Sequence, residues 1–228
     1  MPKPLVIAHR GDSSRALENS LEAIRLALSI PVDMIEFDVR RSRDNYLYVM
    51  HDRKTGRTAD SNIDIERALS DDIATVRLKN GEPIPSLNDV LALVAGKVGL
   101  NIEIKSKGAG ALTAAHVVRM GYQGRLMISS FKEREVIEAK KVMPSILVAG
   151  IFDVFALSEV SAYRAKGYPV ISLNRKSVSQ ELITACHKKN IEVYVWTVDK
   201  EKEAEQLISW GADGIYGNNP GMLRRILA

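Results

Sequence analysis

The sequence predicts an α/β protein: a single, distorted (β/α)8 barrel of the TIM type, with a β-hairpin inserted after the second strand. Three observations predict it. Apolar, β-branched-rich runs recur eight times, at Leu5–His9, Met34–Val39, Leu100–Lys105, Leu126–Ser130, Leu147–Phe152, Val170–Leu173, Val193–Val198 and Asp213–Tyr216. Most are nearly continuous and bounded by Gly, Pro, Asn or Asp, as strands buried on both faces are. Helix-period segments lie between nearly all of them, and such alternation implies parallel pairing. The chain of 228 residues is also close to the roughly 250 of one such barrel, so residues 1–228 are expected to form one domain. An open doubly wound sheet is the alternative.

The elements follow in order. Leu21, Ile24 and Leu28 step by three and four, with Asn19 as the expected N-cap and Glu22 three residues on. The second strand runs into Arg40–Asn45 and then a further β-like run, Tyr46–Met50. That gap is too short for a parallel crossover, so the two runs form a hairpin. Centring its turn between Arg43 and Asp44 sets residue 36 opposite residue 51, with slippage of one or two residues left open. Ser86 and Asp89 read as a capping box before Leu87, Val90, Leu91 and Val94. Further helices are expected over about 109–120, 132–143, 158–166, 179–190 and 220–227. Ala204, Leu207, Ile208 and Gly211 mark another, opening at Asp199.

Composition excludes several classes. With 46% hydrophobic and 26% charged residues, long disorder is not expected. No apolar run approaches the roughly 18 residues of a membrane-spanning helix. A single cysteine excludes an internal disulfide framework. The opening Met1-Pro2-Lys3-Pro4 lacks a secretory pattern, so a reduced, cytoplasmic location is the expectation. The 32 basic and 28 acidic residues leave a net charge of +4. They are scattered, with no basic block interleaved with aromatics, so nucleic acid is not an expected partner. A modest positive field suits a small phosphate-bearing substrate.

Active sites of parallel barrels lie at the C-terminal strand ends. His9 and Arg10 end the first strand, Glu36 and Asp38 lie in the second, His51 and Asp52 end the hairpin, and Glu103 and Lys105 lie in the third barrel strand. The pairs 36/38 and 103/105 are spaced by two, so each projects from one face. If those faces point inward, three carboxylates, a lysine, an arginine and two histidines converge. Three close carboxylates need a cation, and all-oxygen donors suit Mg²⁺ or Ca²⁺ better than zinc. Histidines beside a metal suit general acid and base roles, and Arg10 and Lys105 suit an anionic substrate. Taken singly, each feature has a blander reading: a solvated Glu-x-Asp edge, a surface histidine, a Lys105–Glu103 pair. Together the blander readings weaken, because charges interrupt otherwise apolar strands. His116 and His187 fall in expected helices and read as surface residues, and Cys186 reads as core. Gly108-Ala109-Gly110 reads as a turn or as a helix start near a phosphate.

Nine fragments in order carry a family resemblance. They are Ala8-His9-Arg10-Gly11, Glu18-Asn19-Ser20, Ile35–Val39, His51-Asp52 with Arg57-Thr58, Gly81–Leu87, Asn101–Lys105, Ser129-Ser130-Phe131, Val195–Val198 and Gly211–Ile215. The chain thereby resembles the glycerophosphodiester phosphodiesterases over residues 5 to about 220. The resemblance implies hydrolysis of glycerophosphodiesters to sn-glycerol 3-phosphate and an alcohol. It implies one divalent metal ion, Mg²⁺ or Ca²⁺, on Glu36, Asp38 and Glu103, and a catalytic pair in His9 and His51. Arg10 and Lys105 match phosphate-binding cations, and Phe131 and Trp196 match the glycerol side of the pocket. Departures from the family pattern are Leu17 for proline, Ser20 for threonine, Asn45 for the turn glycine and Thr55 for leucine. After the last strand, Gly217-Asn218-Asn219-Pro220 replaces Thr-Asp-x-Pro, and the asparagine at the aspartate's place is expected to cap the final helix. A lysophospholipase D and a catalytically silent phosphodiester-binding barrel are the competing readings. The sequence does not fix the head group, the choice between the two metals, the nucleophile or the oligomeric state.

Overall fold

The computed structural model describes residues 3–227; the opening Met1-Pro2, on which the expectation of no secretory leader partly rests, lies outside the described residues. The chain begins β1 (Leu5–His9), α1 (Leu21–Leu28), β2 (Met34–Arg41), β3 (Leu47–Val49), α2 (Ser70–Ala74) and α3 (Leu87–Val94). It continues β4 (Gly99–Ile104), α4 (Ala109–Arg119), β5 (Leu126–Ser130), α5 (Glu133–Val142), β6 (Leu147–Phe152) and α6 (Val160–Ala165). It ends β7 (Val170–Asn174), α7 (Gln180–His187), β8 (Glu192–Trp196), α8 (Glu201–Trp210), β9 (Gly214–Gly217) and α9 (Pro220–Ile226). Every strand except β3 is parallel to its neighbours, and β1 pairs with both β2 and β9, which closes the barrel. The open-sheet alternative is thereby excluded.

The apolar runs are continuous because each strand packs on both faces. Outward residues such as Val6, Ile35, Phe37, Leu100 and Ile102 pack with the helices in the main core. Inward, Ile7, Met34, Met127, Ala149, Val170, Tyr194 and Tyr216 form a separate cluster inside the barrel. Residues between β2 and α3 form a third cluster, with Met50, Ile65, Ile73, Val76 and Leu78 buried together. The short helix α2 within it carries no long apolar period, which is why the sequence does not announce it.

The hairpin register differs by one residue from the expectation. Val39 pairs with Val49 and Arg41 with Leu47, so the turn centres on Asp44. The Ser42 N–H donates to the Tyr46 carbonyl at 2.8 Å, enclosing a three-residue loop. Asn45, at φ 69°, supplies the left-handed residue that ends such a loop. His51 therefore does not face Glu36 across the ladder. It lies past the end of β3, where the chain bends towards the barrel mouth.

Two expected caps are also reassigned, and one helix starts later than expected. Ser20, and not Asn19, caps α1 by accepting from the Ala23 N–H at 3.0 Å. Asn219, and not Asn218, caps α9 by accepting from the Met222 N–H at 2.9 Å. Asp199 does not cap α8, whose N-cap is Lys200. Asn19, Asn218 and Asp199 all take hydrogen bonds at or beside the barrel mouth. The Ser86–Asp89 capping box forms as expected.

Gly108 opens α4 at φ 76°, but its helix start offers no place for a phosphate. The buried Glu135 carboxylate of α5 already accepts from the Gly108 and Gly110 N–H groups at 2.8 and 2.9 Å. Removing it strands the buried Gly110 N–H and leaves the Gly108 N–H to water at the exposed helix start, so Glu135→Ala should lower unfolding free energy by about 1–3 kcal/mol. Denaturant titration checks this, and an unchanged midpoint would refute the assignment.

Candidate active site

The site is assembled at the C-terminal ends of β1, β2 and β4. Pairing sets His9 opposite Glu36, Glu36 opposite Asn101, and Asp38 opposite Glu103. The spacing by two thus places these side chains inside the barrel, above the apolar cluster. Arg10 follows β1 at φ 58° and Gly11 at φ 81°. A Cβ on Gly11 would lie 2.6 Å from the Ala23 backbone, so only glycine fits this close turn onto α1.

That turn aims Arg10 into the site. Its backbone N–H donates to Glu36 Oε2 at 2.8 Å. Its guanidinium donates to Glu18 Oε1 at 2.8 Å and lies 3.2 Å from Asp38 Oδ2. Asn19, at φ 58°, donates from Nδ2 to Asp38 Oδ2 at 2.8 Å and accepts the Asp38 N–H at 3.2 Å. Lys105 Nζ lies 2.5 Å from Glu103 Oε1 and 3.3 Å from Asp38 Oδ1. Beneath, Asn101 donates to the Tyr216 hydroxyl at 3.0 Å and accepts from Ser129 Oγ at 2.9 Å.

The two histidines have different partners. His51 Nδ1 is 2.7 Å from Asp52 Oδ1. Arg57 donates to Asp52 Oδ2 at 2.5 Å and grips both oxygens of Glu18 at 2.8 and 2.7 Å. A chain of charges therefore runs from His51 through Asp52, Arg57 and Glu18 to Arg10. His9 Nδ1 is instead 2.7 Å from the amide oxygen of Asn218.

Glu36, Asp38 and Glu103 are buried, and each offers an oxygen within 4.8 Å of the others. Burial, with Asp38 and Glu103 nearby, pushes the Glu36 carboxyl well above the usual carboxylate range. Burial and then Asp38 push Glu103 up to about 7. Burial also opposes ionisation of Asp38, but Arg10 and Lys105 outweigh it and hold Asp38 down at about 2. Burial and then Arg10 lower His9 to about 4, and burial also lowers His51.

The donor set fits a hard divalent cation. Glu36 Oε1 is buried with no hydrogen-bond partner among the described residues, and a buried orphan oxygen calls for a ligand. Three carboxylates against Arg10 and Lys105 leave one negative charge. A divalent ion would reverse it to one positive charge, the complement of a phosphodiester monoanion. Oxygen donors of this kind suit Mg²⁺ or Ca²⁺.

His9, Arg10, Glu36, His51, Glu103, Lys105, Phe131 and Trp196 line one small cavity of about 150 Å³. Asp38 lies just behind its wall. Phe131, at the end of β5, packs edge-on against Trp196 with centroids 5.7 Å apart. Lys105 Nζ lies 5.7 Å from the Phe131 ring centre. All nine residues singled out as site candidates therefore fall in or against one cavity. Sequence reasoning gave no place in the site to Glu18, Asn19, Arg57, Asn101 or Asn218. Glu18, Asn19, Arg57 and Asn101 stand within the quoted fragments, and Asn19 and Asn218 were expected only as helix caps. His116 pairs with Asn88 and Arg119, and His187 with Asp213, outside the cavity. Cys186 is buried in the main core.

The geometry can be set beside known proteins. Residues 9–222 match the profile of the glycerophosphoryl diester phosphodiesterase family. The chain is 31% identical to a glycerophosphodiester phosphodiesterase of Caldanaerobacter subterraneus subsp. tengcongensis, over 97% of this chain and 96% of that one. It is 27% identical to a putative glycerophosphodiester phosphodiesterase of Bacillus subtilis, over 96% of each. Among solved structures, an Oleispira antarctica phosphodiesterase in complex with the product sn-glycerol-3-phosphate superimposes with a TM-score of 0.91 at 22% identity, covering 99% of this chain and 97% of that one. A glycerophosphodiester phosphodiesterase from Parabacteroides distasonis gives a TM-score of 0.88 at 26% identity, with 99% and 97% covered.

Proposed function

The chain belongs to the glycerophosphoryl diester phosphodiesterase family, and we propose that this phosphoric diester hydrolase is a one-domain enzyme that splits glycerophosphodiesters to sn-glycerol 3-phosphate and an alcohol with one divalent ion and two histidines. One observation carries the reading. A buried triad of Glu36, Asp38 and Glu103 meets two histidines, an arginine and a lysine at one small cavity.

Glu36, Asp38 and Glu103 would hold Mg²⁺ or Ca²⁺. Such an ion, when bound, supplies charge stabilisation at the phosphoryl oxygens. Arg10 and Lys105 face the same phosphate, and their contacts with Asp38 keep both heads at the cavity wall. Phe131 and Trp196 present apolar surface to the glycerol carbons. One histidine takes the proton of the attacking hydroxyl as its oxygen bonds to phosphorus. The other gives a proton to the alcohol oxygen as its bond to phosphorus breaks. The nucleophile is water, or the substrate's own 2-hydroxyl, which forms a cyclic phosphate that water then opens. The proposal extends to a cytoplasmic setting, supported by a lone cysteine that is buried rather than bridged.

Release of glycerol 3-phosphate from glycerophosphocholine tests the activity. A lysophosphatidylcholine control tests the lysophospholipase D reading, and exclusive turnover of that lipid would overturn the proposal. The 2-deoxy analogue of glycerophosphocholine, which keeps the choline leaving group but has no neighbouring hydroxyl, separates the two routes. The cyclic route predicts at least about 100-fold slower turnover of it, given the effective molarity of an internal nucleophile. Equal rates would exclude that route.

A further inference from the structure

Asn218 sits just past β9, where the sequence suggests a helix cap, yet its neighbour Asn219 does the capping. The Asn218 side chain turns instead to the ring of His9. Its oxygen and nitrogen are told apart by their partners. Asp199 is a carboxylate and can only accept. It receives the Asn218 backbone N–H on Oδ1 at 2.8 Å and the Asn218 Nδ2–H on Oδ2 at 2.7 Å. That fork leaves Oδ1 of the amide facing His9 Nδ1 at 2.7 Å, with Ser13 Oγ 2.9 Å from the same oxygen. An amide oxygen only accepts, so His9 Nδ1 must carry the proton.

From this arrangement we propose that Asn218, held by Asp199, is the positioning residue that fixes the His9 ring as the Nδ1–H tautomer and turns a bare Nε2 to the substrate. The claim rests on His9 acting in the reaction proposed above. The orienting group on His9 is a neutral amide, with the carboxylate of Asp199 one residue further out. His51 has a carboxylate directly. The two rings are thus held by chemically different partners. Asp199 and Asn218 also form a matched pair. An aspartate at 218 alone would set two carboxylate oxygens about 2.7 Å apart, which disfavours charging both. Exchanging the two residues, Asp199→Asn with Asn218→Asp, keeps every hydrogen bond, reverses the one between the two side chains and brings the carboxylate directly against the His9 ring.

The test uses the Mg²⁺-loaded protein and four variants: Asn218→Leu, Asp199→Asn, Asn218→Asp and the exchanged double variant. Ring ¹⁵N spectra of His9 report which nitrogen is bare, and kinetics on glycerophosphocholine report kcat and KM separately. Wild type should show a protonated Nδ1 and a bare Nε2. Asn218→Leu should lose the single tautomer and lower kcat about 10–100-fold, the usual cost of losing a ligand-orienting partner, with KM changed less than about threefold. Asn218→Asp alone should fall below wild type, and the double variant should recover above both single variants. A bare Nδ1 in wild type, an unchanged kcat in Asn218→Leu, or no recovery in the double variant would each overturn the proposal. The ring spectrum decides it even if glycerophosphocholine is not hydrolysed, a result that would instead overturn the proposed activity.

Discussion

Replacing His9 or His51 with alanine is expected to lower kcat for glycerophosphocholine by on the order of 10²–10⁴-fold each. The two rings serve one proton inventory, one taking and one giving, so the double variant should be far less impaired than the product of the single losses. Neither ring belongs to the apolar clusters that hold the barrel together. Thermal unfolding should therefore change little, which separates lost chemistry from lost fold. Initial-rate kinetics on the three variants check this. A His51→Ala enzyme within about threefold of wild type would remove His51 from the mechanism, since general acid–base roles are not so small.

The second large effect lies in the carboxylate triad. Glu36→Gln or Glu103→Gln keeps the shape of the side chain but removes a charged oxygen donor. Each should weaken Mg²⁺ or Ca²⁺ binding by about 10–100-fold or more. Activity should then require correspondingly higher metal. Stability should move the other way. Burial and then Asp38 push both Glu36 and Glu103 up, and Glu103 adds to the rise of Glu36, so ionising them costs the folded protein. Neutral glutamine relieves that cost, and the metal-free variants should unfold at or above the metal-free wild-type temperature. Calorimetric metal titration and thermal unfolding give the two readings. A variant that binds metal as wild type does would place the ion elsewhere.

Much of this was legible in the sequence, for identifiable reasons. Strands buried on both faces give continuous apolar runs, so the barrel strands were found within about two residues. The spacing of 36/38 and 103/105 survives small errors in boundaries, because residues two apart share a face wherever the strand ends. The hairpin register did not survive. It depends on whether a loop holds two residues or three, and Asn45 in a left-handed conformation selected three. Caps failed where two candidates stood side by side. Asn19 and Ser20 are both good caps, as are Asn218 and Asn219. Only tertiary context shows that Asp38 claims the first of one pair and His9 the first of the other. Glu18 and Arg57 carried no signal of their own, because they meet each other across 39 residues and surface-like charges carry no local pattern.

The most direct test strips the wild-type protein of metal with a chelator and follows glycerol 3-phosphate release from glycerophosphocholine as Mg²⁺ or Ca²⁺ is returned. A cation-dependent triad between two histidines predicts no release from the stripped protein. It predicts saturable recovery with at least one of the two ions, and recovery lowered by on the order of 10²–10⁴-fold with either ion in a His9→Ala control. Full release from the stripped protein would contradict the account.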